Sequence, residues 1–448
     1  MNSTHKQRLV DLGAERLADA LLELAGRDGG ADDLVERTIA TPQENIERFK
    51  RKLTGIKRSR RFIRWGDSAT FARELQGLLQ DLQEEVSDPR TGVELIAAFY
   101  ECDKGALGNC DDSSGHVGDV FRFGARELFV GYASRCDDKE WLGELVFKVN
   151  RSDDYGVRDT LIDCAADYLP EPVLRTLVAR FQKQAYKESE EYAKRHWLRL
   201  VESLARQLKD APLFERTRLA SWGSLSTAAC VDIAQVYLES GDAPPALGWL
   251  KQAPPSEGHY AAVRDELMFE VLGSLGDRAG QTDTAWRMFR RSRTLSSLER
   301  VLEVLGPGER DRVVADEVAV ILAGGRLSLG DAAFLVAIEQ FDAAENYLFT
   351  HAGDLNGDHY NFLLPLAEAM EKQGRHLCAS LLYRALLDSI LQRAQTKTYP
   401  HGVRYLKKLD QLDGGITDWR TLESHAAYKA SLMLHHGRKS SFWSRYGS

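Results

Sequence analysis

Gly241-Asp-Ala-Pro-Pro-Ala246, Gly280-Gln-Thr-Asp-Thr-Ala285 and Gly374-Arg-His-Leu-Cys-Ala379 are three copies of one local pattern. Each lies between stretches with helical apolar spacing. A glycine adopts the left-handed backbone that closes a helix, and the alanine five residues on lets the next helix approach closely. Four residues further comes a large apolar side chain, Leu250, Phe289 or Tyr383, to fill the groove beside that alanine. A degenerate copy runs from Glu339 to Ala344, followed by Leu348. Helix, tight turn, helix is therefore the expected unit.

The same grammar extends outward. Leu17, Leu21, Leu22 and Leu24 recur at helical spacing in 14–25, with Glu15, Arg16, Asp19 and Glu23 on the other face. Phe71, Leu75, Leu78, Leu79 and Leu82 form a second stripe, with Asp67 and Ser68 as its expected cap. Asp88-Pro89 ends that helix and opens the next, striped by Val93, Ile96, Ala97 and Tyr100. Helix-length segments joined by short breaks of Gly, Pro, Asp or Ser continue through 155–168 and 281–292 to 417–436, with no convincing alternating strand. The expected fold is all-α, an α-solenoid of stacked antiparallel hairpins.

The turn and second helix of each copy resemble the tetratricopeptide repeat, as do Ala234, Tyr237 and Gly241 and, in a later unit, Ala367 and Gly374. Steps of 39, 59 and 35 residues between the copies depart from that family's period of about 34. Segments near 117–205 lack the pattern and read as longer, HEAT-like hairpins. Two regions are expected: 1–205, HEAT-like, and 206–448, tetratricopeptide-like with a C-terminal capping helix and an aromatic, basic tail.

Arg60-Arg-Phe-Ile-Arg-Trp65, followed by Ala69-Thr-Phe-Ala72, resembles the helical region of bacterial SWIM zinc-finger proteins, as does the tail from Arg404 through Trp419 and Tyr428 to Trp443. The middle of the chain, including Cys110–Gly115 and Asp153–Asp159, is similar to an uncharacterised bacterial helical family. These likenesses imply a helical repeat fold and leave function open. The zinc finger's CxC and Cys-x-His pairs are absent, so neither zinc nor its nucleic-acid role follows.

Apolar residues make up 43% of the 448 and charged ones 28%, the mixture of a folded protein. A net charge of -8 opposes non-specific binding to nucleic acid or membrane by the chain as a whole. No apolar run is long enough to span a bilayer, and the opening residues lack the apolar core of a secretory signal. The six cysteines are dispersed and read as reduced, buried thiols of a cytoplasmic protein.

Against that acidic background, 48–64 carries Arg48, Lys50, Arg51, Lys52, Lys57, Arg58, Arg60, Arg61 and Arg64 without an acid, beside Phe49, Phe62 and Trp65. Cations interleaved with aromatics suit phosphate contact and base stacking. They equally suit an acidic protein partner, or pairing with neighbours such as Glu84 and Glu85. Arg58, Arg60, Arg61, Arg64 and Trp65 are candidate partner-binding residues, and Gln235, Glu239 and Glu368 are candidates lining a concave groove.

Two acidic loops, 110–119 and 153–159, have the composition of metal or acid–base sites, but Asp and Ser at helix starts cap free amides. Asp354-Leu-Asn356-Gly-Asp358 opens like an EF-hand loop, yet its sixth position is His359 and its twelfth Pro365, which excludes calcium. His425, His435 and His436 lack a zinc-protease spacing. No catalytic residue, metal or cofactor is expected. The expected role is a non-enzymatic scaffold binding a protein or peptide, with nucleic-acid binding through 48–64, or an enzyme with an unrecognised site, as alternatives.

Overall fold

The structure, a computed structural model, describes residues 3–27, 29–222, 225–253 and 259–447. Among these residues the regular elements are helices, and the β pairing is one isolated bridge between Ile63 and Cys110. No helix there is long and apolar enough to cross a membrane. By contact density the chain forms two compact units, Met1–Ala253 and Pro254–Ser448. The expected change of hairpin type at 205/206 is a division of another kind, by pattern and not by contact.

Within each unit, helices pack in adjacent pairs. Glu191–Gln207 packs on Ala211–Trp222, and Thr227–Glu239 on Ala243–Gln252, in the first. In the second, His259–Ser274 packs on Arg278–Arg291, Leu329–Ala337 on Phe341–Thr350, and Tyr360–Lys372 on His376–Arg393. Ala246, Ala285, Ala344 and Ala379 are fully buried, and so, within a per cent, are Leu250, Phe289, Leu348 and Tyr383. The small and large residues one turn apart thus form the seams.

One turn joins all five pairs. Lys209, Gly241, Gly276, Glu339 and Gly374 have positive φ, between 53° and 85°. At each, its own N–H donates three residues back and the next N–H donates five back, as Gly241 to Leu238 and Asp242 to Tyr237. This double bond satisfies carbonyls that a helix end leaves free. The second closing glycine is therefore Gly276, not Gly280. Gly280 lies inside Arg278–Arg291, where its N–H donates to Asp277, the residue that caps that helix. With Gly276 in place the turns fall 32, 35, 63 and 35 residues apart. Glu339 takes the left-handed backbone without a glycine's freedom.

Other expectations resolve differently. Neither Asp67 nor Ser68 caps a helix: Trp65–Glu85 starts two residues earlier, with Arg64 at its cap position, and the buried Ser68 hydroxyl donates to the Trp65 carbonyl. Asp88 does cap, accepting from the Thr91 amide at 2.8 Å, with Pro89 in the first turn. Helix Ala14–Ala25 forms, yet it buries none of its residues, and Leu21, Leu22 and Leu24 are exposed. Periodicity reports the helix and is silent on what covers it.

The left-handed turns yield a paired test. Glu339→Gly should raise stability by about 1 kcal/mol and Gly374→Ala lower it by about 1–2 kcal/mol, because only glycine enters this region freely. Urea-unfolding midpoints would show it; shifts of the same sign would contradict it.

Candidate arginine–aromatic interface

Helix Pro42–Arg58 starts with a capping box between Thr41 and Glu44 and places Lys57 and Arg58 in its last turn, where cations favour the helix dipole. The chain then runs extended from Ser59 and is stapled along its length. Asn109 Nδ2 donates to the Ser59 carbonyl at 3.0 Å, Ile63 N–H to the Asn109 carbonyl at 2.8 Å, and Asp111 N–H to the Ile63 carbonyl at 2.9 Å. Trp65 Nε1 donates to Ser114 Oγ at 2.6 Å. The 110–119 loop is therefore the backing of this strap. Asp112 in it spends its oxygens on the amides of Val117 and Gly118, at 2.9 and 2.8 Å.

Stapling fixes the backbone and leaves the side chains outside. Arg58, Arg60, Arg61 and Arg64 are exposed, and Phe62 and Trp65 keep 61% and 62% of their surface open. Among the described residues these four arginines make no ion pair. Other cations of the segment are engaged: Arg48 with Glu36 at 2.9 Å, Lys50 with Glu47 at 3.2 Å and Lys57 with Glu101 at 2.8 Å. Glu85 accepts from Asn45 and Glu84 from Gln80, so neither neutralises the strap. Beneath it lies a cleft of about 530 Å³ walled by Arg61, Ile63, Phe71, Leu75 and Asn109, with Glu74 and Asp81 among its lining.

The proposed groove residues are distributed over both units. Gln235 is half-buried on Thr227–Glu239, and Glu239 at that helix's end sits 3.3 Å from Arg206. Glu368 is exposed on Tyr360–Lys372, in the other unit.

The 153–159 loop is not the helix expected over 155–168. Asp153 accepts from the amides of Tyr155, Gly156 and Arg158, each at 2.9 Å, and Gly156 has φ 68°, which leaves single helical turns at Asp159–Ile162 and Ala165–Asp167. Arg158 turns inward to fork Asp103, Nε to Oδ2 at 2.8 Å and Nη2 to Oδ1 at 2.7 Å, with both residues buried. Its Nη1 donates to Val149 and Ser152. Asp159, buried beside it, pairs with Arg199 and lies 3.8 Å from His196 Nε2. No group of three or more His, Cys, Asp or Glu is gathered for a metal among the described residues.

Thiol chemistry is suppressed. Burial pushes Cys102 up to about 12 and Cys164 to about 11, and raises Cys110, Cys230 and Cys378, so these groups stay protonated. The tail packs down: Phe442 is fully buried against Tyr399, Trp443 Nε1 donates to the His436 carbonyl at 2.9 Å, and Tyr446 donates to Asp410.

A family profile matches residues 2–223 and again 220–445. The chain belongs to DUF6880, a family of unknown function. The two matches cover this DUF6880 protein as two repeats. No curated protein matches it. Sequence reading of this DUF6880 chain missed a second arginine group, Arg287, Arg290, Arg291 and Arg293 beside Trp286. It is spent internally on Asp265, Glu317 and Asp331, each in helical sequence that carried no separate signal.

Burial pushes the Asp159 carboxyl from 3.8 up to about 7, against the pull of Arg199. A carboxyl raised in the folded state contributes most below its unfolded value, and that contribution is lost as pH rises through 7. Asp159→Asn should therefore gain on the wild type by a few kcal/mol between pH 4 and pH 8. Urea midpoints at the two pH values check this, and a pH-independent difference would contradict it.

Proposed function

We propose that this DUF6880 protein is a non-enzymatic interaction protein that docks an acidic segment of a partner protein on the strap 58–65. One observation carries the reading: four exposed arginines without acidic partners flank two exposed aromatic rings on a backbone held rigid by the 109–114 loop. Arginines elsewhere are spent on buried carboxylates such as Asp265 and Glu317, whereas four together on one strap have none among the described residues, a cluster that an anionic partner suits in a chain of net charge -8. Rigid presentation lowers the ordering cost of binding.

Its hairpins are read as tetratricopeptide-like from the recurring turn and the buried Ala and large-residue pairs, and as HEAT-like before residue 206. A 35-residue step between turns supports the first reading. Gln235, Glu239 and Glu368 remain the proposed contacts of a concave groove, secondary to the strap because Arg206 already holds Glu239. The likeness to SWIM-protein helical regions rests partly on Arg60–Trp65, the same segment. A cytoplasmic setting suits the six unpaired cysteines.

Nucleic-acid binding is the second reading, favoured by exposed Phe62 and Trp65 between the cations. Fluorescence anisotropy with a Glu/Asp-rich peptide and with single-stranded RNA, each titrated with salt, separates the two. Tighter peptide binding, lost when Arg58, Arg60 and Arg61 become Glu while the helical circular-dichroism signal persists, is the expected result. Binding that survives the triple substitution would refute the strap; tighter binding of RNA would shift the assignment to nucleic acid.

A further inference from the structure

Arg384 stands apart from Arg158, the other buried arginine among the described residues. It sits on His376–Arg393 with 6% of its surface exposed. The rings of Trp419 and Tyr428 lie 4.7 and 4.4 Å from its guanidinium carbon. Nη1 donates to the Glu423 carbonyl at 2.8 Å, while Nε and Nη2 are buried without a partner. Those two N–H groups share one edge of the planar guanidinium, the edge that grips a carboxylate with two parallel bonds. Arg158 uses that same edge on Asp103.

No carboxylate lies within 4 Å of the Arg384 guanidinium among the described residues. Asp388, one turn along, is held instead by the Tyr428 hydroxyl at 2.7 Å. Burial lowers the pKa of Arg384 and raises that of Asp388, so neither charge is fully compensated. Arg384 lines a cleft of about 710 Å³ with Asp388, Arg393, Glu423 and Tyr428. A buried cation with an unmet fork, beside a cleft, is a costly arrangement unless something supplies the acceptors.

We infer that this cleft binds a carboxylate, taken two-pronged by the Nε–Nη2 edge of Arg384 between the Trp419 and Tyr428 rings. Both nitrogens are closed off from bulk water, so a ligand in the cleft reaches them only with a local rearrangement of the lining, which includes Thr421, Leu422 and Glu423. Asp388 disfavours a dianion more than a monoanion, which selects carboxylate over phosphate. The carboxylate has two possible sources, a small organic acid or the free C-terminus of a peptide.

Calorimetric titration of the full chain with sodium benzoate, with Ala-Ala-Phe, with its C-terminal amide and with sodium phosphate tests this. Benzoate or the free peptide should bind, the amide and phosphate at least tenfold more weakly. Whichever of benzoate and free peptide binds tighter names the source. Arg384→Lys keeps the charge but loses the fork, and should weaken binding at least tenfold; Asp388→Asn removes a nearby anion and should tighten it severalfold. No heat from either carboxylate, equal binding of the amide or of phosphate, or an unchanged affinity in both variants would overturn the site.

Discussion

A buried carboxylate gripped by arginines from a neighbouring segment recurs along this chain, and the packing depends on it. Asp103 is forked by Arg158, Glu202 meets Arg218 at 3.2 Å and Ser221 at 3.0 Å, and Asp265 is held by Arg287 and Arg291. Glu317 meets Arg290 at 3.4 Å and Arg293 at 3.0 Å, and Glu345 meets Arg375 at 3.2 Å. Each of these acidic residues is buried. At Asp265 burial acts to raise the pKa, but the bonds from Arg287 and Arg291 outweigh it and hold the group ionised. Removing either partner of such a pair strands a charge in a poor solvent, which costs about 3–5 kcal/mol. Apolar seams can slide; a forked ion pair fixes the register of one helix against the next.

How much of this was legible follows from the range of each interaction. Stripes such as Leu75, Leu78, Leu79 and Leu82 are local, and the helix they imply is present with those residues buried. Gly241 and Gly374 announce left-handed turns because few other residues enter that region readily. Gly276 was passed over for Gly280, although Gly276-Asp277 repeats the Gly241-Asp242 pair and so carried the signal. Glu339 shows the converse: a glutamate closes the same hydrogen-bonded turn with φ 61°, which no propensity reports. Leu21, Leu22 and Leu24 predicted a helix correctly but not the absence of burial, since a stripe does not name its partner.

The candidate interface was visible as composition and invisible as geometry. Nine cations without an acid stand out in 48–64, yet nothing in that stretch says that Arg48, Lys50 and Lys57 are paired while Arg58, Arg60, Arg61 and Arg64 are free. That division arises because the first three lie on a helix next to Glu36, Glu47 and Glu101, while the last four flank or lie on an extended strap where no carboxylate of the described residues comes within ion-pair distance. The loop 110–119 read as helix-capping, and Asp112 does accept the first amides of the helix at His116; that Asp111 and Ser114, with Asn109 before them, also brace the strap was not legible. Nothing in the sequence sets Arg158 apart from Arg384; only the fold shows that the first has its carboxylate and that the second, among the described residues, does not.

The account rests on buried ion pairs holding helix register, and Asp103 with Arg158 is the clearest of them. A double-mutant cycle of Asp103→Asn and Arg158→Met, read by urea unfolding of the full chain, tests it most directly. Each single change should cost about 3–5 kcal/mol, and the double should cost at least about 2 kcal/mol less than their sum. Additive losses, or single changes each below about 1 kcal/mol, would contradict it.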